Sequence, residues 1–443
     1  MRTKISSILC AVCLLISLSI VFSSCNLVDY ITIADARINE NGELILTYGN
    51  GTEKNLGTVV GSDGKNGENG MNGTEGTLTI TTNGSSIPAA SSKALRSAVS
   101  IVCNFQATVQ LGGWRPGSNH TTTEEYSSMG SGVIYKMDNA EGDAFIITNY
   151  HVVYDASSDT ENGISDDISV YLYGSEIAEK AIKATYVGGS LYYDIAVLRV
   201  EDSEILAASS ACAVDVADSD KVVVGDSAIA IGNAQGLGIS STSGIVSVDS
   251  EHITMTAADG KTSVSFRVMR VDTAINSGNS GGGLYDEEGN LIGIVNAKII
   301  YDGVENIGYA IPSNVAASIA ENIIDYCYGT KTERVQRALL GITVSTSDSK
   351  AVFDSTTGLL TIEETVCVYE VTNGSLAEGV LQAGDILVSA TINESTTDIT
   401  RQYHIIDMML DVRVGDVVTL NILRAGEAMS VSISITEDCL TAY

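Results

Sequence analysis

Residues 276–284 have the sequence N-S-G-N-S-G-G-G-L, in which Ser280 lies among glycines. Glycine neighbours leave a serine hydroxyl accessible and allow backbone amides to approach a bound carbonyl group closely. Nucleophilic catalysis needs both features, because the amides must stabilise the oxyanion that forms when the hydroxyl oxygen attacks. The pattern therefore predicts that Ser280 is a nucleophile. A glycine-rich turn with an incidental serine is the structural alternative.

A serine nucleophile needs a general base and a carboxylate that orients the base. His151 follows the apolar run 145–148 (F-I-I-T), so the end of a strand is expected to hold its ring beside a cleft. Asp194 precedes the apolar run 195–198, where a carboxylate is costly unless it is paired. We therefore expect Asp194 to orient His151. The other histidines lack such a setting and are interpreted as solvent-facing loop residues: His120, His252 and His404.

Two other motif assignments are excluded by chain order and spacing. Residues 278–282 also fit G-x-S-x-G, the nucleophile elbow of α/β-hydrolases, but an elbow serine precedes its Asp and His partners. Only His404 follows Ser280, and it lies in a separate predicted unit. The string G-K-T at 260–262 is not a phosphate loop, because Met255 occupies the position of the first glycine. No metal-ligand spacing of the H-E-x-x-H kind occurs, so we predict no metal and no cofactor.

The composition indicates an acidic, multi-domain protein. The chain has 443 residues, of which 44% are apolar, and 24 Lys+Arg against 55 Asp+Glu give a net charge of −31. At roughly 150 residues per domain, this length predicts about three units that each bury a core, which excludes a fully disordered chain. The negative charge, with no Lys/Arg-rich stretch, excludes nucleic acid as a partner.

The pattern along the chain is mainly that of short strands. β-Branched runs separated by Gly, Asp and Asn fill residues 97–311, which predicts barrels or sandwiches. One side of 313–328 is apolar, which predicts a helix that closes this region, and 337–437 form a last unit rich in short strands. Alternation in 43–48 predicts a small β-hairpin. Glycine at every third position between 61 and 76 predicts a flexible, hydrated spacer.

The first 24 residues are predicted to be a secretion signal, since Arg2 and Lys4 precede an apolar run that ends in small residues. Residues 21–25 (V-F-S-S-C) resemble a bacterial lipobox, in which the cysteine is lipidated and becomes the first residue. This resemblance implies a lipid anchor at Cys25 and an extracytoplasmic location at the cell surface or in the periplasm. An ordinary cleaved signal and an uncleaved anchor are the alternatives. The later cysteines are interpreted mainly as small core residues: Cys103, Cys212, Cys327, Cys367 and Cys439.

Three strings in chain order, T-N-x-H-V-V, D-I-A-V-L and G-N-S-G-G, resemble the trypsin-fold serine proteases of the HtrA-like group. Similar strings also lie at 230–233, 243–246 and 307–314. The resemblance extends from about Ser97 to Tyr443. It implies a double six-stranded β-barrel with the active site in the cleft between the barrels.

The same resemblance implies a role for each site residue. His151 is implied to be the base, Asp194 the orienting acid and Ser280 the nucleophile, and the amides of Gly278 and Ser280 are implied to form the oxyanion hole. In trypsin-fold enzymes the residue six before the nucleophile lies at the base of the primary specificity pocket. Here that residue is Ala274, with Ile275 next to it, and we expect Ala297 on the facing wall and Lys298 at the rim. These residues predict a pocket for small or medium aliphatic side chains, or for acidic ones if Lys298 points inward.

The last unit resembles a PDZ domain. The string L-L-G-I at 339–342 looks like its carboxylate-binding entry, and the strings at 374–378 and 383–387 match two further PDZ segments. A peptide groove is thereby implied at four residues: Leu339, Leu340, Gly341 and Ile342. Such a domain takes an extended C-terminal peptide as an added strand. A β-rich packing module that binds nothing is the alternative.

These observations predict a mainly β protein, with a trypsin-like double β-barrel followed by an α+β PDZ domain and preceded by a stalk. The expected segments are a signal peptide (1–24), a β-hairpin stalk with a glycine-triplet linker (25–96), a protease domain (97–330) and a PDZ domain (335–440). The predicted function is a serine endoprotease that cuts unfolded or exposed protein segments in extracytoplasmic quality control or processing. A surface peptide-binding adaptor with a protease-like fold and a structural oligomeriser built on the stalk are the alternatives. The expected partners are protein substrates, C-terminal peptides and, through the lipid, the membrane; a homo-oligomer is left open.

Overall fold

The computed structural model describes residues 33–41, 43–58, 86–112, 119–297, 306–330 and 332–442. The chain divides into two units, Met1–Thr81 and Thr82–Tyr443. The predicted signal peptide, Cys25, the glycine triplets and Lys298 lie outside the described residues. No helix in the described parts of the chain has the length and apolarity required to cross a membrane.

The first unit contains a small antiparallel sheet. Its strands, in chain and sheet order, are β1 (Ile33–Ile38), β2 (Glu43–Tyr48) and β3 (Glu53–Thr58). The predicted hairpin corresponds to β2 and β3, and β1 is an additional strand that pairs with β2.

The second unit begins with an antiparallel barrel. Its strands are β4 (Ala98–Gly112), β5 (Asn119–Asp138), β6 (Asp143–Thr148), β7 (Asp167–Leu172), β8 (Ile182–Ser190) and β9 (Ile195–Val200). They close in the order β4-β5-β6-β9-β8-β7. In β9 the side chains of Ile195 and Val197 face one apolar cluster, whereas those of Ala196 and Leu198 face another. This strand is continuously apolar because it lies between two cores.

A second antiparallel barrel follows. Its strands are β10 (Ser227–Gly232), β11 (Ser240–Thr256), β12 (Ser263–Val271), β13 (Gly283–Tyr285), β14 (Leu291–Val295) and β15 (Gly308–Pro312). They close in the order β10-β11-β12-β15-β14-β13. Val246, Met269 and Ala310 are fully buried and belong to the same apolar cluster inside this barrel. The two barrels confirm the mainly β, trypsin-like fold that the sequence predicted.

Short helices connect and cover these strands. They are α1 (Ile87–Ala94), α2 (Tyr150–Val153), α3 (Glu204–Ala207), α4 (Ser313–Cys327) and α5 (Gln402–Asp407). Single 3₁₀ turns lie at Ala178–Lys180, Ser219–Lys221, Ala234–Gly236, Met408–Leu410 and Glu437–Cys439. The predicted closing helix is confirmed as α4, whose Val315, Ile319 and Ile323 are buried. Helix α1 precedes the predicted domain start at residue 97, and its Ala90 and Ala94 pack into the same core.

The chain ends in a further sheet. The strands are β16 (Gln336–Ala338), β17 (Ile342–Asp354), β18 (Leu359–Val371), β19 (Ile386–Ile392), β20 (Ser395–Asp398), β21 (Val417–Arg424), β22 (Glu427–Ser434) and β23 (Leu440–Ala442). The order is β17-β18-β19-β21-β22, with β20 beside β19, and we call these six strands the C-terminal sheet. Strands β16 and β23 pair separately. Inside the sheet the guanidinium of Arg424 donates two hydrogen bonds of 2.7 Å to Asp385 and lowers the pKa of this fully buried carboxyl group.

A buried arginine joins the second barrel to the C-terminal sheet. Arg267 on β12 donates hydrogen bonds of 2.7 Å to Asp220 and to Asp407, which ends α5. Its guanidinium carbon lies 3.5 Å from the centre of the Tyr403 ring, also in α5. Burial raises the pKa of Asp407 to about 6, and Arg267 opposes that rise. These contacts attach α5 to the barrel, because a buried charge that loses its partner is strongly destabilising.

Candidate active site

His151 lies directly beyond the end of β6. The strand ends at Thr148, and His151 is the second residue of the single turn α2. Its ring Nδ1 lies 2.6 Å from Asp194 Oδ2, and its backbone amide donates a 2.9 Å hydrogen bond to Asp194 Oδ1. A proton on Nδ1 is therefore held by a carboxylate, which leaves Nε2 free to accept a proton.

Asp194 immediately precedes β9 in a left-handed backbone conformation, with φ of +56°. The residue is 5% exposed, and its carboxylate also accepts a 2.8 Å hydrogen bond from Asn296 Nδ2. Its carbonyl oxygen accepts hydrogen bonds from Asn149 Nδ2 at 2.8 Å and from the Tyr150 amide at 3.2 Å. A non-glycine residue in this conformation costs about 1–2 kcal/mol, so the surrounding contacts must hold it there.

Ser280 lies in the loop between β12 and β13, which bends at two glycines. Gly278 has φ of +95° and Gly281 has φ of +82°, which are conformations that favour glycine. A Cβ atom at Gly278 would overlap the carbonyl oxygen of Asn233, and one at Gly281 would overlap that of Ser131. The loop is therefore pressed against both barrels. For this reason Ser280 is only 5% exposed, which is more enclosed than the sequence suggested.

Ser131, on β5 of the first barrel, holds the loop on both sides of Asn279. Its amide donates a 2.8 Å hydrogen bond to the Ser280 carbonyl. Its hydroxyl donates a 2.7 Å hydrogen bond to the Gly278 carbonyl and accepts a 2.8 Å hydrogen bond from the Asn233 amide. Its own carbonyl accepts from the Thr148 hydroxyl, at the end of the strand that leads to His151. His151 and the loop that carries Ser280 are thereby fixed to the same segment of β5.

Two backbone amides of the loop, those of Gly278 and Ser280, donate to no hydrogen-bond acceptor among the described residues. The preceding carbonyl, that of Ser277, is held by a 2.7 Å hydrogen bond from the Gln235 amide, which fixes the peptide plane next to Gly278. The Ser280 hydroxyl likewise has no hydrogen-bond partner in the described part of the chain. Unpaired amides beside an unpaired hydroxyl are what an oxyanion site requires.

The residues predicted to form the specificity pocket are only partly brought together. Ala274 is exposed, and its carbonyl accepts a 3.0 Å hydrogen bond from the Thr242 hydroxyl. Ile275 is half-buried and packs against Gly308, the first residue of β15. Ala297 is buried and follows Asn296, whose backbone amide donates a hydrogen bond to the carbonyl of Tyr309 on β15. Ile275 and Ala297 therefore lie at the same end of β15.

The predicted peptide-groove residues lie where β17 begins. A groove of about 170 Å³ separates β17, the edge strand of the C-terminal sheet, from α5 and the turn after it. The first wall carries the predicted residues Leu339, Leu340, Gly341 and Ile342, and the opposite wall carries Ile405, Ile406 and Met409. Gly341 has φ of +76°, and a Cβ atom there would overlap the side chain of Ser375.

Sequence reasoning did not identify the residues that hold the triad candidates in place: Ser131, Asn149 and Asn296. A signal was present for Ser131, because glycines flank it at 130 and 132 within a strand, and strand glycines mark a close approach. A Cβ atom at Gly130 would lie 2.6 Å from the Val152 side chain, which confirms such an approach. Within the described residues, no group of His, Cys, Asp and Glu has the arrangement of a metal site.

Two barrels with a His–Asp pair and a glycine-flanked serine between them define the fold of trypsin-like serine proteases. The family model described as a trypsin-like peptidase domain matches residues 130–294. The serine protease Do-like HtrA of Bacillus subtilis (strain 168) is 33% identical over 344 residues, which cover 76% of this chain and 70% of that protein. The periplasmic serine endoprotease DegP of Salmonella typhimurium is 30% identical and covers 75% of this chain and 62% of its own length.

The chain belongs to the HtrA family of trypsin-like serine proteases, and it is a serine endopeptidase. A solved structure titled HtrA-type protease AlgW with decapeptide covers 81% of this chain and 99% of its own, at 26% identity and a TM-score of 0.49. The similarity to named endoproteases supports the predicted enzyme over the peptide-binding adaptor.

We expect Ser131→Ala to lower kcat by about tenfold to a hundredfold, because it removes the hydroxyl that fixes Gly278 and Asn233. Loss of one buried hydrogen-bonding group costs about 1–3 kcal/mol, which corresponds to that range of rates. Steady-state cleavage of an unfolded protein measures the effect. Ser127→Ala is the matched control, since the Ser127 hydroxyl, on the same strand, donates only to the exposed Asn104. Equal kcat values for the two variants would contradict the assignment.

Proposed function

We propose that His151, Asp194 and Ser280 form the catalytic triad of this endoprotease. The observation that carries the proposal is the 2.6 Å contact between His151 and Asp194, beside a serine loop that Ser131 anchors. In the first step the Ser280 hydroxyl oxygen attacks the carbonyl carbon of the scissile peptide bond while His151 Nε2 takes the hydroxyl proton. Asp194 stabilises the imidazolium that results, and the amides of Gly278 and Ser280 bind the oxyanion.

The tetrahedral intermediate then collapses with cleavage of the carbon–nitrogen bond. His151 gives its proton to the leaving amine, and the acyl group remains as an ester on Ser280. In the second half, His151 removes a proton from a water molecule that attacks the ester, and it returns the proton to the Ser280 oxygen. The net reaction adds one water molecule across the peptide bond and restores the enzyme.

The region after residue 335 is proposed to be a PDZ domain that binds C-terminal peptides. The edge strand β17 can pair with an added peptide strand, and the loop at Gly341 can offer backbone amides to a terminal carboxylate. The apolar side chains of Leu340, Ile405 and Met409 favour an aliphatic last residue.

Cys25 is proposed to carry a lipid that anchors the chain outside the cytoplasm, after removal of residues 1–24. Protein quality control at an extracytoplasmic membrane surface is the role that this arrangement supports. In an expressing bacterial cell, Cys25→Ser should move the protein from the membrane fraction to the soluble fraction. An unchanged distribution would favour an uncleaved anchor instead.

Ser280→Ala and His151→Ala should each abolish proteolysis while the fold is retained, because the backbone contacts of both residues remain. The two losses should not add, since the triad works as a unit. Cleavage of an unfolded protein, together with mass-spectrometric mapping of a serine-directed phosphonate adduct, measures both effects. Near-normal cleavage by Ser280→Ala, or an adduct at another serine, would contradict the proposed triad.

Cleavage should occur after small or medium aliphatic residues. Ile275 and Ala297 offer an apolar surface, and burying a cationic side chain there without a partner would cost several kcal/mol. A cleavage-site profile on a denatured protein tests this preference. Dominance of Lys or Arg before the cut would refute the pocket, and dominance of Asp or Glu would mean that Lys298 points inward.

A fluorescent peptide that ends in Val with a free carboxylate should bind the inactive Ser280→Ala protein, and its amidated counterpart should bind at least about tenfold more weakly. Leu339→Glu should weaken binding similarly, because the exposed Leu339 lies where the carboxylate is expected. Val417→Glu is the control, since Val417 is equally exposed on β21 of the same sheet. Equal affinity for both peptides would instead support a module that only packs.

A further inference from the structure

Arg337 lies where the two barrels and the C-terminal sheet meet. It belongs to β16, between the barrels and the C-terminal sheet, and it is 6% exposed. One guanidinium nitrogen donates a 2.6 Å hydrogen bond to the Tyr193 hydroxyl, and the other donates a 3.1 Å hydrogen bond to the Ile406 carbonyl. Tyr193 directly precedes Asp194, one of the triad candidates, and Ile406 belongs to α5.

Tyr193 immediately precedes Asp194 and is itself enclosed. Its ring is 3% exposed and packs edge-on against Tyr192, with ring centres 5.0 Å apart, and at a tilt against Phe266. Its amide donates a 3.2 Å hydrogen bond to the Ser190 hydroxyl. These contacts hold the Tyr193 side chain in place directly before Asp194, and the hydrogen bond from Arg337 holds its hydroxyl.

The conformation of Asp194 makes such a fixed neighbour necessary. A left-handed aspartate persists only where its surroundings hold it, and contacts from Asn149 and Asn296 hold its carbonyl and carboxylate. On the preceding side, the backbone is held through Tyr193. A shift of the Tyr193 backbone would displace the Asp194 carboxylate from His151, and small displacements of catalytic groups have large effects on rate.

We propose that Arg337 is a positioning residue, which fixes Asp194 through Tyr193 and attaches this segment to α5. The inference rests on the proposed triad, in which Asp194 stabilises the imidazolium of His151. It assigns to the junction with the C-terminal sheet a part in the geometry of the active site, beyond its part in stability.

The test compares Tyr193→Phe and Arg337→Lys with Arg267→Lys in the full chain. Tyr193→Phe keeps the ring and removes the hydroxyl that accepts the hydrogen bond, and Arg337→Lys keeps the charge but cannot reach both acceptors in the same geometry. Arg267 is a matched control, because it is as buried as Arg337 and also holds α5, through Asp407 and Tyr403.

We expect both test variants to lower kcat by about tenfold. Tyr193→Phe should leave KM nearly unchanged, because Tyr193 does not line the peptide groove, whereas Arg337 does. A displaced Asp194 stabilises the imidazolium less, so the acid limb of the kcat/KM profile should move to lower pH by about half a unit or more. The double variant should be no worse than either single one. Arg267→Lys should lower the melting temperature but keep kcat within about twofold and leave the acid limb in place.

An unchanged acid limb in Tyr193→Phe and Arg337→Lys would overturn the proposal, whatever happens to their stability. An equal fall of kcat in Arg267→Lys would also overturn it, because general loosening of α5 would then be the cause. Failure of the triad itself gives a different result, since His151→Ala would then retain proteolysis.

Discussion

The buried carboxylate of Asp194 is the group on which the rest of the proposed active site depends. A carboxylate taken out of water is costly unless hydrogen bonds replace its hydration. Three donors meet this need: the amide and the ring of His151, and the side-chain amide of Asn296. The first two donors belong to the first barrel and the third to the second barrel. The charge can therefore be buried at this position only when the two barrels are docked.

The loop that carries Ser280 belongs to the second barrel and depends in turn on the first barrel. Ser280 belongs to the second barrel, but Ser131 of the first barrel holds the carbonyl groups of Gly278 and Ser280. Each barrel thus supplies part of the machinery and fixes part of the other barrel's contribution. Neither barrel alone can assemble the site, and the close approach of Gly281 to Ser131 and Thr148 of the first barrel leaves no room for a side chain at that position.

How much the sequence could predict follows from the range of each interaction. His151, Asp194 and Ser280 were predicted because each has a local signal, namely a strand end, a charge before an apolar run, or a cluster of glycines, and the structure brings the first two into contact. Ser131 and Asn296 act on residues more than 100 positions away, so no local pattern marks their partners. Strand spacing predicted barrels or sandwiches, the resemblance to HtrA-like proteases implied the two barrels, and helical periodicity predicted α4. Helix α1 was not, because its apolar face consists of small alanines.

The buried arginines explain how an acidic chain holds its parts in one arrangement. With a net charge of −31, the acidic side chains repel one another, and the buried Arg267 lies between two of them, Asp220 and Asp407. Arg267 attaches α5 to the second barrel through Asp407, whereas Arg337 attaches the same helix to Tyr193 beside β9 of the first barrel. Since α5 also forms one wall of the groove, the C-terminal sheet is tied to both barrels at the helix closest to that groove. Arg337 and α5 therefore connect the segment that carries Asp194 to the groove.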